Sequence, residues 1–114
     1  MSVKLSTRQV GDVTVVDVAG RITLGEGSSA LRDLMREMVS KGQKKILLNL
    51  GEVSYIDSSG IGELVSGFTT VANNGGQLKL LGLTKRVKDL LQITKLYTVF
   101  DVHDDEASAV RSFA

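Results

Sequence analysis

The hydrophobic positions of the chain follow two periods, and each period predicts one kind of element. Segments in which apolar side chains alternate with polar ones, or run almost unbroken, predict β-strands. Gly11-Asp12 lies between the first two such segments as a two-residue turn, which indicates an antiparallel hairpin, and Gly20 is expected to end the second segment. The predicted strands are residues 3–8, 13–19, 46–50, 78–81 and 99–102.

Apolar residues three and four positions apart predict four amphipathic helices. Gly42 and the run Asn73-Asn74-Gly75-Gly76 are expected to end the first two helices, and residues 51–57 are expected to form a loop. The predicted buried stripes are Leu31, Leu34, Met35, Met38 and Val39; then Ile61, Leu64, Val65, Phe68, Val71 and Ala72; then Val87, Leu90, Leu91 and Ile93; and finally Ala107, Val110 and Phe113.

The resulting element order is ββαβαβαβα, which predicts an α/β fold. Strands separated by helices need crossover connections, so the sheet should be largely parallel, with the opening hairpin adding a mixed edge. The 114 residues have the usual size of one domain and contain no linker or internal repeat. We therefore expect residues 1–114 to form a single domain with a mixed, mostly parallel sheet of about five strands and about four helices.

The composition argues against several classes of function. Fourteen Lys and Arg against thirteen Asp and Glu leave a net charge of +1, which gives no global field to hold nucleic acid or an anionic membrane. There is no cysteine for a disulfide, metal site or nucleophile, and the single histidine, His103, leaves no cluster for zinc. No apolar run approaches the roughly 20 residues of a membrane span, and the N-terminus has no signal-peptide core. We expect a cytoplasmic protein that binds no metal, cofactor, nucleic acid or membrane.

The most polar loop of the predicted sheet is Asp57-Ser58-Ser59-Gly60, which joins the most apolar strand to a helix. In open α/β sheets, ligands and partners tend to meet the loops beyond the carboxyl ends of the strands. One interpretation is helix capping alone, because aspartate and serine are preferred N-cap residues, each worth about 1 kcal/mol. The other interpretation is that one of the two serines is phosphorylated.

A phosphate in this loop would change binding rather than the fold. The helix N-terminus favours it by roughly 0.3 to 1 kcal/mol, while the Asp57 carboxylate at contact distance repels each added charge by about 1 kcal/mol in water. These two effects roughly cancel. A partner packed over an uncharged hydroxyl would have to bury an unpaired dianion, which costs several kcal/mol. The loop is therefore suited to a binding switch that needs little conformational change.

Other chemistry fits the loop less well. Asp57 ends a central strand, as the phosphoacceptor of a receiver domain does, but the first two strands are joined by a short turn without an acidic pair for Mg²⁺. A hydrolase with Ser58 or Ser59 as nucleophile would need a Gly-x-Ser-x-Gly elbow, which is absent, and His103 lies after the last strand. The segment 84–88, which contains Lys85, Arg86 and Lys88, could contact a phosphate or an acidic partner, although a solvated helix start is the simpler interpretation.

The run Ile56-Asp57-Ser58-Ser59-Gly60-Ile61-Gly62, after an Ile-Leu-Leu-Asn-Leu strand, resembles the phosphorylation-site signature of bacterial anti-sigma factor antagonists, the STAS-domain proteins. The resemblance extends along nearly the whole chain. Residues 15–22 resemble the family's second strand and turn, residues 75–80 its fourth strand, and residues 87–91 with 96–100 its closing helix and strand.

This resemblance implies a non-enzymatic partner switch. In such proteins the unphosphorylated form binds an anti-sigma factor that is also a serine kinase, which frees the sigma factor for RNA polymerase. The kinase phosphorylates the serine directly after the motif aspartate, here Ser58, with Ser59 as the second candidate, and a serine phosphatase reverses the reaction. Gly60 and Gly62 are expected to keep this helix end open to the kinase. The partner-binding residues that the resemblance implies are Arg21, Thr23, Asp57, Ser58, Ser59, Gly60, Ile61 and Gly62.

Three residues depart from the family's common pattern. Thr23 stands where many relatives carry an acidic residue, Lys95 stands where glycine is frequent, and Glu63 adds negative charge near the phosphorylation site. These departures leave the fold expectation unchanged and the partner's identity open. Related STAS domains also act in signalling assemblies without a sigma factor, so a scaffold role is the alternative function. We expect the free protein to be a monomer or a weak dimer.

Overall fold

A computed structural model, which describes residues 3–113, shows the predicted element order and confirms the mixed α/β fold class. The strands are β1 (Val3–Val10), β2 (Val13–Ile22), β3 (Lys45–Ile56), β4 (Gln77–Leu81) and β5 (Val102–His103). The helices are α1 (Glu26–Ser40), α2 (Ser58–Asn73), α3 (Lys85–Ile93) and α4 (Glu106–Arg111). None of the helices described here is long and apolar enough to cross a membrane.

The five strands pair in sequence order, and only the β1–β2 pair is antiparallel. The predicted hairpin is confirmed, since Val10 lies opposite Val13 across the Gly11-Asp12 turn. β4 pairs with residues 45–49 of β3, and α3 also contacts β3. The carboxyl ends of the parallel strands therefore lie at one edge of the sheet, which is where the candidate loop begins.

Alternating side chains give the sheet a hydrophobic cluster on each face. The larger cluster lies under α1, α2 and α3, and its fully buried members include Val16, Ile22, Leu31, Ile46, Leu48, Ile56, Leu64, Leu80 and Leu91. The smaller cluster lies on the opposite face under α4 and consists of Val13, Val15, Leu47, Leu81, Ala109 and Phe113. Burial on both faces explains the nearly continuous apolar run in β3.

β1 and β4 extend the predicted strands by one or two residues, and β2 and β3 run through segments that we expected to lie outside the strands. β2 continues past Gly20 to Ile22, and β3 includes residues 51–56, which we expected to form a loop. The pairing between the two strands shifts register twice along this stretch. Each irregularity breaks the period of two that marks a strand in the sequence. The segment is nevertheless part of the core, because Val53 and Ile56 are buried.

The predicted strand at residues 99–102 is wrong for most of its length. Only Val102 belongs to β5, which pairs its two residues with the end of β4. The backbone N–H of Val99 donates to the carbonyl of Leu96 at 3.0 Å in a turn, and the Val99 side chain is exposed. Phe100 is buried instead and packs edge-on against Phe68 of α2, with ring centres 5.6 Å apart. Because a buried aromatic residue in a turn can have the same alternation of apolar and polar neighbours as a short strand, the sequence pattern did not distinguish the two.

Three helical stripes also differ from the prediction. In α2 the departure is confined to Ala72, which was expected to be buried and is exposed in the last turn of the helix. In α3 the side chain of Ile93 is exposed, whereas Val87 and Leu91 are buried. In the last helix Ala109 is buried and Ala107 is exposed, and Phe113 packs against the sheet after the helix has ended. Helices α3 and α4 are short, so their few apolar residues do not determine from the sequence which face of each helix packs on the sheet.

Candidate functional site

The candidate phosphorylation loop lies where β3 ends and α2 begins. Ile56 is the last residue of β3, Asp57 is the N-cap of α2, and Ser58 is the first residue of the helix. The backbone N–H of Asp57 donates to the carbonyl of Ile22 at the end of β2, at 3.3 Å. The loop is therefore anchored to the carboxyl end of the neighbouring strand.

Asp57 orders this turn with both of its carboxylate oxygens. Oδ1 accepts hydrogen bonds from the Ser59 hydroxyl at 2.7 Å and the Gly60 backbone N–H at 3.0 Å, and Oδ2 accepts one from the Leu24 backbone N–H at 3.0 Å. Burial raises the pKa of Asp57, but the hydrogen bonds from Ser59, Gly60 and Leu24 outweigh it and hold the pKa below its ordinary value. The capping role of Asp57 is thus confirmed, and both oxygens are engaged by the fold.

The two serines of the loop have different environments. The Ser59 hydroxyl donates to Asp57, and the residue is half-buried. Ser58 is exposed, and none of the hydrogen bonds that order the turn uses its hydroxyl. Ser58 is therefore the serine that an external protein can reach without breaking a hydrogen bond of the cap.

Gly60 and Ile61 were expected to contact a partner, but both are buried. Gly60 is buried, and a Cβ there would lie 2.5 Å from the Ile22 carbonyl oxygen and 2.7 Å from Cγ1 of Ile56. Ile61 is 3% exposed and belongs to the core. Gly60 allows α2 to approach the end of β2 closely, so the expectation that it keeps the helix start open to a kinase is wrong. Gly62 is exposed, and a Cβ there would have no neighbouring atom within 4 Å.

The end of β2 and its connection to α1 border the loop. Arg21 is exposed, and Thr23 is half-buried, with its carbonyl accepting a hydrogen bond from the Ser28 backbone N–H at 3.0 Å. The next residue, Leu24, has a side chain that is 80% exposed, although its backbone binds Asp57. Sequence reasoning missed Leu24, because a single leucine in a loop has no periodic signal. The hydrogen bond to Asp57 places the Leu24 backbone beside the turn that carries the candidate serine.

The negative charge that Glu63 adds to the start of α2 is paired with a positive charge. Its carboxylate lies 3.2 Å from a guanidinium nitrogen of Arg32 on α1, and its side chain is only 17% exposed. The pair links α1 to α2 one turn into the helix. Asp57 and the N-terminus of α2 are the electrostatic features that directly adjoin Ser58 along the chain.

The described residues also show how the acidic side chains and the single histidine, His103, are placed. Residues 3–113 contain no cluster of three or more His, Asp or Glu side chains that could hold a metal ion. His103 lies on β5, which β4 separates from β3, and its Nε2 lies 3.2 Å from Oδ1 of Asp101. The sheet thus places the single histidine away from the strand that leads to Ser58.

Comparison with known proteins gives a consistent result. The family model of the STAS domain matches residues 4–109. The anti-sigma-B factor antagonist of Bacillus subtilis (strain 168) is 31% identical over 102 residues, which cover 90% of this chain and 92% of the relative.

Two solved structures share the fold. An anti-sigma factor antagonist from Mycobacterium paratuberculosis has a TM-score of 0.86 at 17% identity, covering 97% of this chain and 93% of that one. The Bacillus cell fate determinant SpoIIAA in its phosphorylated form has a TM-score of 0.75 at 18% identity, covering 95% and 97%. The similarity in each case extends over nearly the full length of both chains.

Proposed function

The chain belongs to the STAS domain family, among the anti-sigma factor antagonists, and from this premise we propose that it is a phosphorylation-controlled partner switch. Its unphosphorylated form binds an anti-sigma factor that is also a serine kinase, and this frees the sigma factor. Phosphorylation of Ser58 releases the kinase, and a serine phosphatase restores the binding form. The observation that carries the proposal is the exposed Ser58 beside a Ser59 whose hydroxyl is bound to Asp57.

A phosphate on Ser58 is compatible with the folded loop. The cap of α2 consists of hydrogen bonds to Asp57 from Leu24, Ser59 and Gly60, and phosphorylation of Ser58 breaks none of them. The dipole of α2 attracts the phosphate by about 0.3 to 1 kcal/mol, whereas the Asp57 carboxylate at contact distance repels each unit of its charge by about 1 kcal/mol in water, so the net electrostatic effect on the loop is small. SpoIIAA, which shares the fold, has been solved in a phosphorylated form.

The switch then acts on the partner rather than on the fold. Phosphorylation adds about −1.5 to −2 charges, which reverses the sign of a net charge of +1. A partner that covers the neutral hydroxyl would have to desolvate this dianion. In the proposal, the surface that such a partner covers is made of Ser58, the exposed Leu24 and the neighbouring Arg21 and Thr23.

Substitution of Ser58 tests the proposal directly. The chain is incubated with ATP and a serine kinase of the anti-sigma factor class, and the phosphorylated residue is identified by mass spectrometry. We expect Ser58→Ala to resist phosphorylation and retain kinase binding. We expect Ser58→Asp to bind at least about tenfold more weakly, because a buried unpaired charge costs more than the 1.4 kcal/mol that a factor of ten represents.

Ser59→Ala is the matched control. It removes a neighbouring hydroxyl and should leave phosphorylation of Ser58 intact. Phosphate mapped to Ser59 alone, or no phosphate at all, would contradict the assignment. An acid-labile phosphate on Asp57 would point instead to receiver-like chemistry.

A further inference from the structure

Two arginines lie on one tyrosine at the carboxyl edge of the sheet. Arg21, next to last in β2, lies beside Tyr55, next to last in β3, in the parallel pairing. The guanidinium carbon of Arg21 lies 4.6 Å from the centre of the Tyr55 ring, and that of Arg86 in α3 lies 4.2 Å from the same centre. The two positive charges are therefore within about 9 Å of each other, which is about one Debye length at physiological ionic strength.

Neither arginine is neutralised by the rest of the described chain. Arg21 and Arg86 are exposed and form no ion pair among residues 3–113, whereas Arg8 and Arg32 are each held by carboxylates. The attraction of each guanidinium to the face of the Tyr55 ring opposes the repulsion between the two charges. The ring thus holds two cations within about 9 Å of each other, with N–H donors available for external acceptors.

The chemistry of this cluster suits oxyanions, and the rest of the chain favours an acidic protein segment over nucleic acid. A guanidinium presents parallel N–H donors that match the two oxygens of a carboxylate or phosphate. Nucleic acid is a poor candidate, because the net charge is only +1 and the Tyr55 ring is covered by arginines instead of being open for a base. An acidic segment of a protein, in contrast, can be bound by a local pair of cations without a large net positive charge.

The cluster is also close to the candidate phosphorylation site. Tyr55 precedes Ser58 by three residues, so their Cα atoms are no more than about 11 Å apart. Arg21 precedes Ile22, whose carbonyl accepts the hydrogen bond from Asp57. A protein that covers Ser58 therefore reaches the arginines with the same face.

We propose that Arg21 and Arg86, held on Tyr55, bind adjacent acidic side chains of the partner protein that covers Ser58. The inference rests on the proposed function for the identity of the partner. The acid-binding property itself belongs to this chain and can be measured without the partner.

A hexaglutamate peptide is the probe for that measurement. The full chain is titrated with the peptide at low salt, and the Nε–Hε signals of the arginines are followed by NMR. We expect the signals of Arg21 and Arg86 to shift in a saturable way, and Arg86→Gln to weaken binding about tenfold through the loss of charge-assisted hydrogen bonds. Arg36→Gln is the matched control, since Arg36 is exposed on α1 and forms no ion pair or ring contact in the described chain. It should leave the affinity unchanged.

The outcomes separate this inference from the proposed function. Absent shifts, or shifts of Arg36 as large as those of Arg21 and Arg86, would overturn the inference even if Ser58 is phosphorylated. Saturable shifts confined to Arg21 and Arg86 would support it, and the kinase experiment on Ser58 would then decide the proposed function separately. Where the kinase binds, Arg86→Gln should also weaken that complex about tenfold, and an unchanged affinity would count against the inference.

Discussion

Ser58 and Ser59 are neighbours of the same type, and the turn that begins α2 gives them different chemistry. Ser59 donates its hydroxyl to Asp57 and becomes part of the cap. Ser58 stays exposed, with its backbone in the first turn of the helix. The carboxylate of Asp57 therefore selects one serine by binding the other.

Gly60 makes the same turn possible through its size. The ideal Cβ position at Gly60 lies 2.5 Å from the Ile22 carbonyl oxygen, which belongs to a backbone held in the sheet. We predict that Gly60→Ala lowers the free energy of unfolding by about 1 to 3 kcal/mol, because the added methyl forces α2 away from β2. Urea denaturation of the purified protein measures the change.

Gly62 provides the control for this prediction. It lies two residues further into α2, and a Cβ there meets no atom within 4 Å. Gly62→Ala should therefore stabilise the protein by about 0.5 to 1 kcal/mol through the higher helix propensity of alanine. Equal effects of the two substitutions would show that close packing at Gly60 is not what requires glycine.

At the scale of elements, α1, α2 and α3 end in the same way. The residue after each C-cap has a positive φ: 79° at Gly42, 79° at Gly75 and 62° at Lys95. The backbone N–H of the following residue then donates to the carbonyl five positions earlier, at 3.1, 2.9 and 2.8 Å respectively. This is the Schellman motif, and Lys95 adopts it at a position where glycine is favoured.

Lys95 is therefore strained, and replacing it should stabilise the protein. A side chain in the left-handed region costs roughly 1 to 2 kcal/mol, part of which is offset because glycine loses more entropy on folding. We predict that Lys95→Gly raises the free energy of unfolding by about 0.5 to 1 kcal/mol, measured by urea denaturation.

The reverse substitution at the end of α1 checks the same physics. A Cβ at Gly42 would meet no atom within 4 Å, so Gly42→Lys introduces backbone strain without a steric clash. It should destabilise the protein by a similar amount. If Lys95→Gly has no stabilising effect while Gly42→Lys is destabilising, the strain at Lys95 is relieved by other contacts.

Across the whole molecule, an ion-pair network joins the antiparallel edge of the sheet to the last helix. Arg8 of β1 binds Asp17 of β2 at 2.7 Å and Glu106 of α4 at 2.6 Å. Asp17 also accepts a hydrogen bond from the Asn49 amide of β3 at 2.9 Å. The network links β1, β2 and β3 to α4, which lies on the face opposite the three larger helices.

This network predicts a loss of stability in acid. Hydrogen bonds from Arg8 lower the pKa of Asp17 and of Glu106 below their ordinary values, against the effect of burial. Carboxylates with a depressed folded-state pKa contribute stability above their unfolded-state pKa, and that contribution is lost as the pH falls through the folded-state pKa. We expect the free energy of unfolding to fall progressively as the pH drops below about 5, and to fall less in Arg8→Gln.

Lys41→Gln is the control for the acid experiment. Lys41 pairs with Glu37 on the surface of α1, at 2.8 Å with both side chains mostly exposed. Such a pair contributes about 0.5 kcal/mol or less, so this variant should keep the pH dependence of the original chain. An identical pH profile for Arg8→Gln would show that other carboxylates dominate the acid response.

The sequence by itself determined the order of the elements, the mixed and mostly parallel sheet, and the position of the Asp57-Ser58-Ser59-Gly60 loop before a helix. These features depend on local periodicity and turn chemistry, which can be read from neighbouring residues. The prediction was wrong where pairing is irregular, as in residues 51–56, because the register shifts against β2 erase the period of two.

Tertiary structure decided which serine is exposed, why Gly60 is glycine, and how Arg21, Tyr55 and Arg86 meet. Each of these results from a contact between residues distant in sequence: Leu24 with Asp57, Gly60 with Ile22, and Arg86 with Tyr55. A local pattern states which side chains are buried, but the packing of one element on another fixes which atoms meet.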